Sequence, residues 1–336
     1  MTGQERELAR ADARDQEREH ARGGAAHHQV APEDAGVRLD AFVSRHLCVS
    51  VGEARRRIEA GAVRVDGQRR RKGTTLPAGA RVSIEEPTEA VGLVAEPSPA
   101  VAFLYEDAAL IAIDKPAGMP SHPLRAGERG TAANAIAARY PECAAASEDP
   151  REGGLGHRLD TGTSGVLLAA RQRAAWLALR AALRAPDCQK RYLAEVWGRP
   201  PDEGDVTAAI GRSGRRGGKV RLDGGRNPLP AQTSWHVLWR GLTGAEETSL
   251  VEARLHAGRA HQVRAHLAAA GYPIVGDDRY DPDFAARGAA GDTIPGTAEP
   301  RLHLHAAAVS FTHPVTARPL TIEAPPPSWA RAPRGP

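Results

Sequence analysis

The stretch Gly156-His157-Arg158-Leu159-Asp160-Thr161-Gly162-Thr163-Ser164-Gly165-Val166-Leu167-Leu168-Ala169-Ala170 decides how the chain reads. Its second half is an apolar run bounded by Gly165 and Arg171. The run is too short for a typical helix and reads as an interior strand. Its first half is polar and Gly-rich. A loop that feeds straight into a core strand is reachable by solvent yet rigidly anchored, which is where reactive side chains are usually held. The one carboxylate in it, Asp160, stands after His157 and Arg158. A carboxylate with cationic neighbours keeps its charge at neutral pH and can serve as nucleophile or base. On composition alone, Asp-Thr-Gly-Thr is also an ordinary Asx-turn.

Length and composition frame the rest. A chain of 336 residues with 41% hydrophobic residues suits two packed domains with polar ends. Cys48, Cys143 and Cys188 are scattered, with neither metal-ligand nor disulfide spacing, which points to a reducing cytoplasm. No apolar stretch approaches the ~20 residues that span a bilayer, and the N-terminus is charged, so neither membrane nor secretory signal is expected. Net charge is only +4, yet residues 36–87 hold 11 Lys/Arg against 6 Asp/Glu. The surplus therefore fits in one segment, as in a polyanion-binding module.

Residues 1–34 read as a charged, disordered tail. Arg6, Arg10, Arg14, Arg18 and Arg22 would make a stripe without an apolar face. Residues 35–87 are patterned. Leu39, Phe42, Val43 and Leu47 have helical spacing, and Ser50-x-x-Glu53 signals a second helix that Gly61 ends. Val63 to Val65 reads as a strand, Asp66-Gly67 as a tight turn and Arg81 to Ile84 as a returning strand. Arg55, Arg56 and Arg57 on the second helix, with Arg69, Arg70 and Lys72 near the turn, are candidate phosphate contacts, which carry affinity rather than sequence information. The pattern Arg38-Leu39-Asp40, a helix pair, then Gly61-x-Val63-x-Val65-Asp66-Gly67 resembles the small RNA-binding domain named after ribosomal protein S4. That family usually has Asn where Asp66 stands.

Residues 88–100 read as a linker, 101–324 as a second domain and 325–336 as a disordered Pro-rich tail. Leu110 to Asp114 reads as a strand broken by Lys115-Pro116-x-Gly118. Lys115 is either a structural cation, the reading we favour, or a phosphate contact. Thr131 to Tyr140 and Gln172 to Ala185 read as helices, Tyr192 to Val196 and Leu250 to Leu255 as strands. Arg212 to Arg226 reads as a mobile basic loop, equally an RNA track or a soluble insertion. His256, His261 and His266 are spaced by five, not the four that puts two imidazoles on one helical face, so no metal site is expected. His303 and His305, alternate residues of a strand, are read as structural.

Several of these motifs resemble, in chain order, those of the RluA-type pseudouridine synthases. They are His157-Arg158-Leu159-Asp160-x-x-Thr163-Ser164-Gly165, Asp114-Lys115-Pro116-x-Gly118, Lys190-x-Tyr192-Leu193-Ala194 and Gly258-Arg259-x-His261-Gln262-Val263-Arg264-x-His266. The resemblance implies an α+β fold, an S4-like domain followed by a catalytic domain with a mixed, largely antiparallel central sheet. It implies conversion of uridine in RNA to pseudouridine, without cofactor or metal. Asp160 would be the catalytic carboxylate, Tyr192 the ring that stacks on the target base, and Arg264 the cation that holds Asp160 anionic. Arg158 would fill the place of the extruded nucleotide, with His157 and Arg259 further RNA contacts. Large-subunit ribosomal RNA is the favoured substrate and transfer RNA the alternative; a monomer without an obligate protein partner is expected.

Two rival readings use the same residues differently. A non-catalytic RNA-binding or ribosome-assembly protein would explain the basic first domain but not the intact set Asp160, Tyr192 and Arg264. A glycosidic-bond hydrolase would need a second carboxylate as acid/base, and no partner for Asp160 is evident in the sequence.

Overall fold

The chain divides into two units, residues 1–91 and 92–336. The structure, a computed structural model, describes residues 25–331 apart from 48, 86–92, 126, 214–217, 257 and 288–300. The side chains of residues 25, 53, 56, 60 and 85 are also outside the description. The stripe from Arg6 to Arg22, Arg56 among the candidate phosphate contacts, and residues 332–336 thus lie outside it.

In the first unit, α1 (Leu39–His46) buries Leu39, Phe42 and Val43, the face that i, i+3, i+4 spacing creates. Helix α2 (Val51–Ala60) buries Ala54 and Ile58 and ends at Gly61, whose φ of +84° suits a residue without Cβ. Four antiparallel strands follow the order β1-β4-β2-β3: β1 (Ala25–Gln29), β2 (Val63–Val65), β3 (Gln68–Arg69) and β4 (Arg81–Glu85). Asp66 and Gly67 turn β2 into β3 with φ of +49° and +75°, the pair of positive angles a two-residue hairpin needs. Strand β1 corrects the expected tail. Its residues Ala25 to Gln29 pair in register with Glu85 to Arg81, so the ordered unit starts well before residue 35. The two His residues and the absence of alternation hid the strand, which is held by backbone pairing to β4.

The second unit is built on one sheet of nine strands. Eight run in the order β5-β6-β7-β15-β8-β14-β13-β9, and β16 pairs β15. They are β5 (Ala102–Glu106), β6 (Leu110–Lys115), β7 (Ser164–Ala170), β8 (Gln189–Trp197), β9 (Glu203–Thr207), β13 (Gln232–Thr243), β14 (Glu246–Leu255), β15 (Leu304–Thr312) and β16 (Pro319–Glu323). Only the β7–β15 pair is parallel among these neighbours. The expected α+β fold with a mixed, largely antiparallel sheet is what the chain adopts.

Strand β7 is apolar from Val166 to Ala170 because both its faces are covered. Val166, Leu168 and Ala170 pack with Trp176 and Leu179 of α4 (Arg173–Ala182). Leu167 and Ala169 pack with Ala132, Ala133 and Ile136 of α3 (Ala132–Arg139), which Thr131 and Asn134 close with a capping box. Gly165 sits where β7 meets β15. Its φ is +107°, and a Cβ there would lie 2.2 Å from the Ala306 carbonyl oxygen. Helix α5 (Gln262–Ala269) follows β14, and a short α6 (Phe284–Arg287) precedes residues 288–300.

Three expectations are corrected here. The linker 88–100 ends earlier than expected: Leu93 packs in the core, Asn134 Nδ2 donates to the Val94 carbonyl, and Glu96 N donates to the Asn134 carbonyl. The basic loop 212–226 contributes to a small sheet of β10 (Ile210–Arg212), β11 (Val220–Leu222) and β12 (Arg226–Leu229), which rests on backbone pairing rather than apolar patterning. In the segment read as a C-terminal tail, Trp329 and Ala330 are buried, and the Trp329 ring stacks on His303 at 4.8 Å. Among the described residues no helix is long and apolar enough to cross a membrane.

Candidate active site

Asp160 leads into β7 through a loop fixed on both sides of it. On one side, Ser121 brackets Leu159, its hydroxyl donating to the Leu159 carbonyl at 2.8 Å and accepting from the Leu159 amide at 3.0 Å. On the other, the Thr161 carbonyl accepts from Gly118 N at 2.9 Å and from Lys115 Nζ at 3.2 Å. Lys115 is fully buried and also donates to the carbonyls of Pro116 and Met119. Three acceptors require the three protons of an ammonium, since a neutral amine has only two. Burial pushes the Lys115 pKa down to about 7, against the pull of the charges on Asp160 and Asp114. Lys115 is therefore a structural cation that anchors the loop.

Asp160 meets Arg264, which α5 carries. Arg264 Nη1 donates to Asp160 Oδ2 at 3.1 Å. The same guanidinium donates from Nε and Nη2 to the fully buried Asp277, at 2.8 and 2.6 Å, and reaches Asp278 at 3.4 Å. Burial would lower the Arg264 pKa, but Asp277 and Asp160 outweigh it and raise the pKa, so the cation is permanent. Helix α5 is itself braced. Gln262 Nε2 donates to the Gln232 carbonyl and the Thr233 hydroxyl. His266 Nε2 donates to the Ala208 carbonyl, so its Nδ1 accepts from the Thr233 hydroxyl. These contacts tie the helix to the sheet and leave His266 no lone pair for a metal.

Tyr192 lies on β8, in register with Ala306 and Ala253, and packs half-buried against apolar residues of the α3 face of β7 and of β14 and α5. Burial and then the charge of Asp160 raise its hydroxyl pKa. Leu255 is buried at the end of β14. Arg158 is exposed next to Asp160, and Arg259 is partly exposed with Nε on the Pro230 carbonyl.

His157 requires a correction. Its Nε2 accepts the Leu168 amide at 3.1 Å, and burial pushes its pKa down to about 3, so it is neutral. The ring is a strut between loop and β7, not a cation flanking Asp160. In the first unit, Arg55 donates to the buried Asp40 at 2.7 Å and Lys72 to Glu59 at 2.6 Å, yet both cations remain about half-exposed, as a phosphate contact requires. Arg69 and Arg70 are exposed and Arg57 is half-buried.

Sequence reasoning gave no role to Asp277, His261 or Tyr280. Asp277 follows Gly276, whose φ is +75°, in a turn that also uses Asp277 to accept the amides of Arg279 and Tyr280. A Gly-Asp turn shortly after a helix carrying a buried arginine was the available signal.

The chain as a whole has relatives among known proteins. Residues 109–269 match the family model described as RNA pseudouridylate synthase, and residues 37–82 match that of the S4 domain. The chain belongs to the RNA pseudouridine synthases, isomerases that act on RNA, and to the RluA branch that carries an S4 domain. It is 36% identical to an uncharacterized RNA pseudouridine synthase of Chloroflexus aurantiacus over 86% of each chain. It is 35% identical to the ribosomal large subunit pseudouridine synthase D of Xanthomonas campestris pv. campestris, over 89% of this chain and 88% of that one. Among solved structures, human RNA pseudouridylate synthase domain containing 1 matches with a TM-score of 0.52 at 25% identity, covering 68% of this chain and 86% of that one.

Proposed function

We propose that this enzyme isomerises uridines of large-subunit ribosomal RNA through Asp160. The observation that carries the assignment is the Asp160–Arg264–Asp277 chain. One carboxylate is locked and buried, and the other is part-exposed on a fixed loop and shares its cation. Only the second can reach a substrate.

The reaction breaks the bond from ribose C1′ to uracil N1 and makes one from C1′ to C5. The proton leaves C5 and N1 gains one, so nothing is oxidised or imported. The target nucleotide must first leave its stack, which costs a few kcal/mol. Arg158, exposed beside the catalytic loop, fills the vacated place. The Tyr192 ring carries the extruded uracil, a contact worth ~1–3 kcal/mol by analogy with base–aromatic stacking. Asp160 then meets the sugar–base junction, with Arg264 stabilising its charge. Leu255 and the apolar wall behind it keep water from intercepting the open glycosyl linkage.

Ribosomal RNA rests on the relatives named as large-subunit enzymes and on the basic S4 domain. Asp160→Asn should abolish pseudouridine formation on an unmodified transcript of that RNA while leaving RNA affinity nearly intact. Turnover in that variant would remove Asp160 from the central role. Modification of transfer RNA alone by the wild type would move the substrate, not the site.

A further inference from the structure

The second oxygen of Asp160 has its own neighbour. Arg264 binds Oδ2, while Oδ1 faces His261 Nε2 at 3.7 Å. The other ring nitrogen, Nδ1, lies 2.9 Å from the Tyr280 hydroxyl. That hydroxyl in turn accepts the backbone amide of Val220, in β11, at 2.8 Å.

Hydrogen-bond direction can be assigned along this chain. The Val220 amide can only donate, so it occupies the lone-pair side of the Tyr280 oxygen. The phenolic hydrogen is left to point elsewhere, and the neighbour positioned to accept it is His261 Nδ1. A neutral imidazole that accepts at Nδ1 carries its proton on Nε2, the nitrogen aimed at Asp160. Burial lowers the His261 pKa despite the pull of Asp160, and Arg264 lowers it further, which keeps the ring neutral. The Arg264 guanidinium and the Lys219 ammonium also lie 5.4 and 6.0 Å from the Tyr280 ring centre. The backbone of His261 is itself held in the left-handed region, φ +53°, at the N-terminus of α5. Such a conformation is uncommon outside Gly, although His, Asn and Asp adopt it more readily than other residues.

We propose that His261 is a positioning residue for Asp160. Its Nε2–H, oriented by Tyr280 and Val220, faces Oδ1 and holds the carboxylate plane while Arg264 holds Oδ2. At 3.7 Å the contact is a charge–dipole one that closes to a hydrogen bond in the substrate complex, as apo sites commonly do. Because Oδ1 is the more weakly held oxygen, it is the one that reacts. Val220 thereby makes the small β10–β11–β12 sheet part of the catalytic support rather than a surface appendage.

The proposal rests on Asp160 as the catalytic group, and the test separates the two. The full-length chain would be assayed in single turnover, at saturating RNA, on whichever unmodified transcript the wild type modifies, with RNA affinity measured alongside. His261→Asn tolerates the left-handed backbone and keeps an amide near the Nδ1 position, but is too short to reach Asp160. His261→Gln places an amide N–H near the Nε2 position. The Asn variant should lose roughly 10- to 100-fold in rate, the worth of a hydrogen bond to a charged group, with RNA affinity changed by less than about twofold. The Gln variant should recover most of that loss. Tyr280→Phe, which keeps the ring and loses the hydroxyl, should fall between them. A wild-type rate in His261→Asn, or a Gln variant no better than Asn, would overturn the proposal. Turnover by Asp160→Asn would instead overturn the assignment on which it rests.

Discussion

Asp277 takes two hydrogen bonds from Arg264, at 2.8 and 2.6 Å, while Asp160 takes one from the same guanidinium at 3.1 Å. The buried carboxylate is thus the firmer partner, and the exposed one borrows a cation that is already held. Removing one member of a buried pair costs about 3–5 kcal/mol where the other is left uncompensated, an upper bound here because Asp160 and Asp278 also face the guanidinium. Asp277→Asn should lower unfolding free energy by that order and slow pseudouridine formation at least tenfold at saturating RNA. Denaturant melts and single-turnover rates measure both. A variant with normal stability and rate would show that Arg264 needs no second carboxylate.

Lys115 offers a test of the loop rather than of the chemistry. Lys115→Met keeps most of the volume, strands the carbonyls of Pro116 and Met119, and leaves that of Thr161 with only the Gly118 amide. A destabilisation of about 3 kcal/mol is expected. Amide exchange over residues 159–163 should accelerate, and the rate should fall more than RNA affinity does. Unchanged exchange there would separate Lys115 from the position of Asp160.

In the small unit, the Arg38 and Arg55 guanidiniums draw the Asp40 carboxyl down to about 2 from 3.8, against the opposing effect of burial. The folded state therefore holds the proton more weakly than the unfolded chain does. The ion pair contributes its full stabilisation above pH ~4 and loses it as the pH falls toward 2. Amide exchange of α1 should rise over that window, and Asp40→Asn should remove the pH dependence while weakening the unit at neutral pH. Tryptophan fluorescence is blind to this transition because all five tryptophans lie beyond residue 91.

Arg69 and Arg70 lie on or beside β3 and are exposed. If they contact phosphates, replacing both with Ala should reduce the slope of log affinity against log salt by up to about two, with little change in rate at saturating RNA. An unchanged slope would place the RNA-binding face elsewhere.

Much of this fold was legible because local signals and packing agree. Leu39, Phe42 and Val43 face one core, Gly61 ends a helix, and Asp66-Gly67 makes a hairpin. The continuous apolar run of β7 reflects two covered faces. Motif resemblance singled out Asp160 and Arg264, and the structure brings the two into contact. What escaped was carried by the backbone or by partners distant in sequence. Strands β1 and β10 to β12 are specified by pairing, not by alternating hydrophobicity. His157 read as a cation because sequence does not show the Leu168 amide that takes its lone pair. Asp277 and His261 acquire their roles only when α5 and the turn after it meet the loop of Asp160.

The strand at residues 25–29 also bears on how the small unit can be isolated. The S4 match begins at residue 37, so a fragment cut there would leave the hydrogen-bonding groups of β4 bare along one rim and remove Val30, which is only 1% exposed in the whole chain. An open rim of that kind recruits other chains. A recombinant piece starting after Gln29 should therefore clump at concentrations where one that retains Ala25 stays dispersed, and light scattering would tell them apart.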